Sequence, residues 1–128
     1  MRVKDMMRRD VRGIEADASL VQAALQMEQD DVGWLPVFSD GKVIGVLSDR
    51  DIVIRGVAQR LDPVETKVRE VMSSELIHCH EDDHVVRAAA IMKERKVRRL
   101  LVLDDDDWVA GSVSLSDLAT KARSTITR

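Results

Sequence analysis

Two stretches of the chain repeat one pattern of residues that can do hydrogen-bonding chemistry, Gly-x-x-Ser-x-x-Asp followed by Ile or Leu. Each copy offers a glycine, a hydroxyl and a carboxylate in that order: Gly45, Ser48 and Asp51 in the first, and Gly111, Ser114 and Asp117 in the second. A glycine at the end of a strand lets a ligand or another backbone approach closely. A serine that begins a helix can hold a phosphate together with the free amides of the first turn. A carboxylate three residues on can accept hydrogen bonds from two ribose hydroxyls. The pattern therefore favours a sugar-phosphate ligand.

The same spacing has a second interpretation that needs no ligand. Ser-x-x-Asp resembles a capping box, in which the serine caps the helix and the acid three residues on bonds back to the serine amide. This interpretation accounts for the serine and the aspartate of each copy. The two roles can coexist, so the sequence leaves both open.

Arginines lie close to both motifs. Arg50 stands inside the first motif, and Arg98 and Arg99 precede a predicted strand in the second half of the chain. Arginine suits phosphate because its guanidinium group donates two parallel hydrogen bonds. A solvated basic face is the alternative. The first half has Gly33-Trp34 where the second has Arg98-Arg99, so we expect a polyphosphate to bind nearer the second motif. Trp34 either stacks on a base or packs in the fold.

A short segment rich in histidine suggests metal binding at first sight. His78 and His80 would share one face of a predicted strand, with Cys79 on the opposite face. His84 would begin the next helix. This spacing matches no standard zinc pattern, so we predict no metal site.

The chain contains an internal repeat. With an offset of 65 residues Val3–Met7 falls on Val68–Met72, and one extra residue in an acidic loop then makes the offset 66. Apolar, Gly, Ser and Asp positions duplicated in one order indicate two homologous units. We expect a first repeat at 1–60, a linker at 61–67, a second repeat at 68–123 and a polar tail at 124–128.

Each repeat predicts the element order β-α-β-β-α. Apolar residues at helical spacing predict an amphipathic helix in each half, with these residues on its buried face: Leu20, Ala23, Ala24 and Met27, then Val85, Ala88, Ala89 and Met92. Asp17 or Ser19 can cap the first of these helices. A hairpin with a turn at Ser39–Lys42 should follow. The last helix of each repeat should open at the serine of the motif.

Composition excludes several classes of protein. The 128 residues are 45% hydrophobic and 34% charged, as expected for a folded globular protein. A net charge of −3 and a single Phe argue against nucleic-acid binding. One cysteine excludes an internal disulfide, and neither a membrane-spanning run nor a secretory signal is visible, so we expect a cytoplasmic protein. No nucleophile with a base and no phosphate-binding loop is recognisable, so we predict that it is not an enzyme.

The duplicated motif within this element order resembles the tandem cystathionine-β-synthase-type (CBS) domain pair, also called a Bateman module, of the stand-alone bacterial type. The residues that carry the resemblance are Gly45–Ile52 and Gly111–Leu118, with Trp34–Val37 and Arg98–Val102 matching the family's second strand and Val3–Met7 and Val68–Met72 its lead-in helix.

The resemblance implies a mixed α/β (α+β) fold of two β-α-β-β-α repeats, packed sheet to sheet with pseudo-twofold symmetry and leaving two clefts. It implies a regulatory module that binds AMP, ADP, ATP or S-adenosylmethionine there, requires no cofactor and forms a homodimer. Serine would face phosphate and aspartate would face ribose, and His78 would stand where the family often has a threonine facing the ligand. A role in stress or energy status is implied by stand-alone relatives.

Two functions remain open at this point. One is an adenosyl-ligand sensor, and the other is a module that dimerises or holds a partner through apolar helices without any ligand. Removing the two motif aspartates would distinguish them, because only the sensor needs the carboxylates.

Overall fold

The computed structural model describes residues 1–126 of the chain. Its elements follow the order β-α-β-β-α twice: β1 Ile14–Glu15, α1 Leu20–Asp30, β2 Trp34–Ser39, β3 Lys42–Ser48 and α2 Asp49–Asp51, then β4 His78–His80, α3 Val85–Arg95, β5 Arg99–Leu103, β6 Val109–Ser114 and α4 Leu115–Ile126. Short 3₁₀ turns at Val3–Asp5 and Val68–Glu70 precede the repeats. The predicted mixed α/β fold is confirmed.

Each repeat forms its own three-stranded sheet. In the first sheet β1 pairs parallel with β2, and β2 pairs antiparallel with β3. The order β4-β5-β6 repeats this arrangement. The first hairpin turns at Asp40 and Gly41, whose φ angles of 53° and 80° are both left-handed. A two-residue type I′ turn requires this conformation, so the Asp-Gly pair explains the predicted hairpin.

The helix α1 shows why the sequence folds locally as it does. Ser19, rather than Asp17, is the N-cap residue, and its hydroxyl accepts a hydrogen bond from the amide of Gln22 at 3.1 Å. The predicted apolar stripe is buried except at Ala24, which is exposed. A helix three turns long presents less than half of its surface to one sheet, and Ala24 lies outside that stripe. The helix ends at Asp31, which is left-handed with φ of 54°.

The helix after the first motif is irregular. The three residues of α2 continue directly into a π-helical segment, Ile52–Val57. The amide of Ala58 reaches back five residues to the carbonyl of Val53 at 2.8 Å. Wider turns of this kind are rare and occur mostly as short segments.

The described chain divides into two compact units. The first unit is Arg12–Leu76, and the second unit combines Met1–Val11 with the chain from Ile77 onward. Each buried cluster draws on the lead-in segment of the other repeat in the sequence: Val68 and Val71 pack in the first cluster, and Val3, Met6 and Met7 pack in the second. The lead-in segments are thus exchanged between the repeats. The predicted division of the chain into a first repeat at 1–60, a linker at 61–67 and a second repeat at 68–123 stays a prediction.

Backbone pairing holds each exchanged segment to its unit. Arg8 and Ser112 exchange both of their amide–carbonyl hydrogen bonds, at 2.8 and 2.9 Å. In the first unit Ser73 and Val46 make the equivalent pair, at 2.9 Å in both directions. These paired hydrogen bonds fix where residue 8 lies beside β6.

The C-terminal end of the fold is helical as far as it is described. The predicted tail at 124–128 falls partly in α4, and residues 127–128 lie outside the described part of the chain. Among the described residues no helix combines the length and the apolar character needed to cross a bilayer.

Candidate functional site

The first motif forms a corner where β3 turns into α2. The Ser48 hydroxyl accepts from the amide of Asp51 at 3.1 Å, and the Asp51 Oδ2 accepts from the amide of Ser48 at 2.9 Å. This is a complete capping box, which satisfies two amides that a helix start leaves unpaired. The other carboxylate oxygen, Oδ1, lies 4.0 Å from Nε of Arg55, and the Asp51 side chain is 19% exposed. We call this arrangement the first corner.

The second motif forms the same corner where β6 turns into α4. The Ser114 hydroxyl accepts from the amide of Asp117 at 3.0 Å, and the Asp117 Oδ2 accepts from the amide of Ser114 at 3.1 Å. Asp117 Oδ1 accepts from Nε of Arg8 at 3.4 Å. The Arg8 side chain is 65% exposed and that of Asp117 is 14% exposed. We call this arrangement the second corner.

The motif glycines make room for backbone. A Cβ at Gly45 would lie 2.5 Å from the carbonyl oxygen of Ser73 and 2.7 Å from Sδ of Met72. A Cβ at Gly111 would collide with the carbonyl oxygen of Arg8. The sequence suggested that a ligand or another backbone approaches each of these glycines closely. At both glycines the structure places the backbone of the exchanged lead-in segment. Their contact with a ligand stays a prediction.

The predicted arginines are distributed unequally around the corners. Arg99 pairs with Ser114 across the β5–β6 ladder, and the carbonyl of Arg98 accepts from the amide of Leu115 at 2.8 Å. The structure therefore brings both residues to the second corner. Arg50 is exposed beside the first corner, where its amide donates to Asp49 Oδ1 at 2.8 Å. At the position that corresponds to Arg99, Trp34 pairs with Ser48.

The three histidines lie on β4 and at the start of α3. His78 is half-buried on β4, and its ring centroid lies 5.4 Å from that of His80. His80 Nε2 is 3.1 Å from Asp107 Oδ1, and His84 caps α3 by accepting from the amide of Val86. No group of three metal-ligating side chains occurs among the residues that the structure describes. Contact between His78 and a ligand stays a prediction.

The single cysteine is not an activated nucleophile. Cys79 lies in the second buried cluster, and burial raises the pKa of its thiol to about 12. The thiolate is the reactive form of cysteine, so at neutral pH this side chain is almost entirely protonated.

Two residues of the corners were missed by the sequence reasoning. Arg8 reaches Asp117 only because the lead-in segment is exchanged, and nothing in the spacing of residues signals that exchange. Asp49 was readable from the sequence: it stands at the first helical position of the first motif, where the second motif has Leu115. Its carboxylate accepts the amide of Arg50 at the start of the helix.

Two mixed sheets, each ending in a capped Ser-x-x-Asp corner, define the class of protein. The chain belongs to the CBS domain family, whose model matches it twice, at residues 3–57 and 68–124. It is a tandem CBS pair, a regulatory binding module and not an enzyme.

Relatives of similar length support this assignment. The CBS domain-containing protein YhcV of Bacillus subtilis is 38% identical over 122 residues, which are 95% of this chain and 86% of the relative. Hypoxic response protein 1 of Mycobacterium tuberculosis is 32% identical over 91% of this chain and 81% of its own. The predicted similarity to stand-alone bacterial CBS proteins is confirmed.

Solved structures have the same fold. The crystal structure of Hypoxic Response Protein I with two coordinated zinc ions has a TM-score of 0.84 at 30% identity, covering 94% of this chain and 98% of that one. The CBS domain pair of protein MJ0100, solved in complex with 5′-methylthioadenosine and S-adenosyl-L-methionine, has a TM-score of 0.84 at 25% identity and covers 98% of both chains.

Proposed function

We propose that the chain senses an adenosine-containing ligand, AMP, ADP, ATP or S-adenosylmethionine, and binds it at the first and second corners. The observation that carries the proposal is that the two carboxylate oxygens of each motif aspartate have different partners. Oδ2 caps the helix, and Oδ1 lies 4.0 Å from an arginine in the first corner and 3.4 Å from one in the second. A carboxylate oxygen has two lone pairs, so Oδ1 can still accept from ribose hydroxyls.

The arginines beside Oδ1 do not prevent this role. The contact between Arg8 and Asp117 is 3.4 Å long and the one between Arg55 and Asp51 is 4.0 Å, and both arginine side chains are more than half exposed. Long ion pairs with an exposed arginine contribute about 0–1 kcal/mol, which a ribose with two hydroxyl donors can replace. The adenosyl ligands of the MJ0100 pair, which has the same fold, support the choice of ligand class.

Isothermal titration with AMP, ATP, S-adenosylmethionine and 5′-methylthioadenosine tests the proposal. We expect saturable binding of at least one of them. A 2′-deoxy analogue of the ligand that binds should be weaker by about tenfold, since one hydrogen bond to a charged acceptor is lost. Absence of heat and of any thermal shift with all four ligands would contradict the sensor.

A second candidate function is association with another copy of the chain. The π-helical segment leaves three apolar side chains exposed, Val53 at 53%, Ile54 at 46% and Val57 at 64%. Apolar side chains grouped in this way are typical of interaction surfaces. We infer that these side chains hold a second copy of the chain in a homodimer. We propose that the homodimer acts in the cytoplasm, in a role related to stress or energy status.

Sedimentation velocity tests the homodimer. We expect a dimer for the wild-type chain and a monomer when Val53 and Val57 are both replaced by lysine, because two charges cannot be buried unpaired in an apolar contact. Leu25→Lys is the control, since Leu25 is 58% exposed on α1 of the same unit. A wild-type monomer, or a dimer that survives the double substitution, would rule out this surface as the dimer interface.

A further inference from the structure

In the second corner, the carboxylate oxygen that would accept from ribose already has a partner within the chain. Nε of Arg8 donates to Asp117 Oδ1 at 3.4 Å. Among the side chains that the structure describes, Asp117 is the one to which the Arg8 side chain makes a hydrogen bond or an ion pair. The guanidinium group is therefore held at the second corner by this carboxylate.

The exchanged lead-in segment fixes the backbone of Arg8 but leaves its side chain free to move. The amide and the carbonyl of Arg8 both bond to Ser112 on β6, and Met7 beside it packs in the second buried cluster. The Arg8 side chain is 65% exposed, so water surrounds most of it. The guanidinium group can thus leave Asp117 for water and return to it while the fold stays unchanged.

The first corner has no equivalent of this contact. In the offset of the repeat Arg8 corresponds to Ser73, whose backbone pairs with β3 in the same way. A serine side chain ends one atom beyond Cβ and carries no charge. The lead-in segment of the first unit therefore brings no cation to Asp51 at this position.

The arginines around the first corner leave Asp51 Oδ1 without a hydrogen bond. Nε of Arg55 lies 4.0 Å from it, beyond hydrogen-bond distance, and Nη1 of Arg55 donates instead to the carbonyl of Met72 at 3.1 Å. Arg50 also lies beside this corner, but it forms no ion pair with Asp51 among the described side chains. The two corners thus differ in whether a guanidinium group donates to the Oδ1 atom of the motif aspartate.

We propose that Arg8 is an internal competitor of the ligand at the second corner. Its guanidinium group occupies Asp117 Oδ1 while the corner is empty, and an adenosyl ligand displaces it when the ribose hydroxyls bond to that oxygen. Because a long, exposed ion pair contributes little free energy, the competitor lowers the affinity of the corner without closing it. This inference rests on the adenosyl-binding function proposed above and adds to it the regulation of one of the two corners.

Isothermal titration with 5′-methylthioadenosine, which is uncharged at neutral pH, tests the competitor. The titrations use the Asp51→Asn chain, in which only the second corner keeps its carboxylate. We expect Arg8→Ala to tighten binding about two- to fivefold, the range that the loss of an exposed ion pair allows. Arg9→Ala is the matched control, because it removes an equal charge from the next residue, whose Nη2 donates to the carbonyl of Lys4 at 3.4 Å. It should leave the affinity unchanged.

Ionic strength supplies a second measurement, which a merely structural role of Arg8 would not affect. Salt screens an exposed ion pair, whereas the binding of an uncharged ligand depends far less on salt. We expect the affinity of the Asp51→Asn chain for 5′-methylthioadenosine to rise about twofold between about 0.05 and about 0.5 M NaCl. Arg8→Ala should remove this rise, and Arg9→Ala should retain it.

The outcomes separate the competitor from the sensor on which it rests. If the wild-type chain binds no adenosyl ligand, the sensor is wrong and the competitor is wrong with it. If the chain binds them but Arg8→Ala leaves the affinity unchanged, weakens it, or tightens it no more than Arg9→Ala does, Arg8 does not compete and the sensor stands. If the Asp51→Asn chain shows no binding, Arg8→Ala should restore it, and a failure to do so would also overturn the competitor.

Discussion

Replacing Gly111 by alanine is expected to destabilise the second unit by about 3 kcal/mol, the upper part of the range for overpacking a rigid site. The added Cβ would collide with the carbonyl oxygen of Arg8 and lie 3.0 Å from Sδ of Met7. The methionine side chain can move, but the carbonyl belongs to a backbone held to Ser112 by two hydrogen bonds. Relief of the collision therefore requires the lead-in segment to separate from β6. Urea denaturation followed by circular dichroism measures the loss.

A second glycine supplies the matched control. Gly41 has open space around its Cβ position but a φ of 80°, so Gly41→Ala should cost only about 1 kcal/mol of backbone strain. Gly45→Ala should behave like Gly111→Ala, since its Cβ would lie 2.5 Å from the carbonyl oxygen of Ser73. If Gly111→Ala were no more destabilising than Gly41→Ala, the exchanged segment would not pack on β6 as described.

Replacing both Asp51 and Asp117 by asparagine is expected to weaken adenosyl-ligand binding about 10- to 100-fold while leaving the fold intact. Asparagine keeps one carbonyl oxygen, which can still accept the serine amide that Oδ2 accepts now. Its amide nitrogen then takes the place of Oδ1 and presents hydrogens to the ribose hydroxyls. The ligand loses hydrogen bonds to a charged acceptor, each of which contributes about 1.5–3 kcal/mol.

Stability and affinity measured on the same double variant separate capping from binding. We expect the free energy of unfolding to change by about 1 kcal/mol or less, because the capping bonds survive and the lost contacts are long ones to exposed arginines. Alanine at both positions removes the capping acceptor as well, so it should lower both the free energy of unfolding and the affinity for the ligand. If the asparagine variant bound the ligand as tightly as the wild-type chain, the aspartates would be helix caps and nothing more.

Local structure was largely predictable from the sequence because its causes are local. The Asp-Gly turn, the helical spacing of α1 and the Ser-x-x-Asp caps depend on residues within a few positions of one another, and each appears where it was expected. Ala24 differs because the width of the buried stripe is set by the sheet against which the helix packs, which the helix sequence does not contain.

The exchange of lead-in segments was not predictable in the same way. The repeat shows that Val3–Met7 and Val68–Met72 are equivalent segments. The same repeat would be seen whether each segment packs on its own repeat or on the other one. The choice depends on which sheet each segment can reach in three dimensions. Arg8 enters the second corner through this choice, whereas Asp49 and Leu115 carried a local difference that was visible in the sequence.

The most direct test of the adenosyl sensor is a crystal structure of the chain with the ligand that binds most tightly in the titrations. We predict ribose hydroxyl oxygens about 2.5–3.0 Å from Oδ1 of Asp51 or Asp117, with Oδ2 still bonded to the amide of Ser48 or Ser114. A ligand bound elsewhere on the chain, with both carboxylates turned to solvent and both corners empty, would contradict the account.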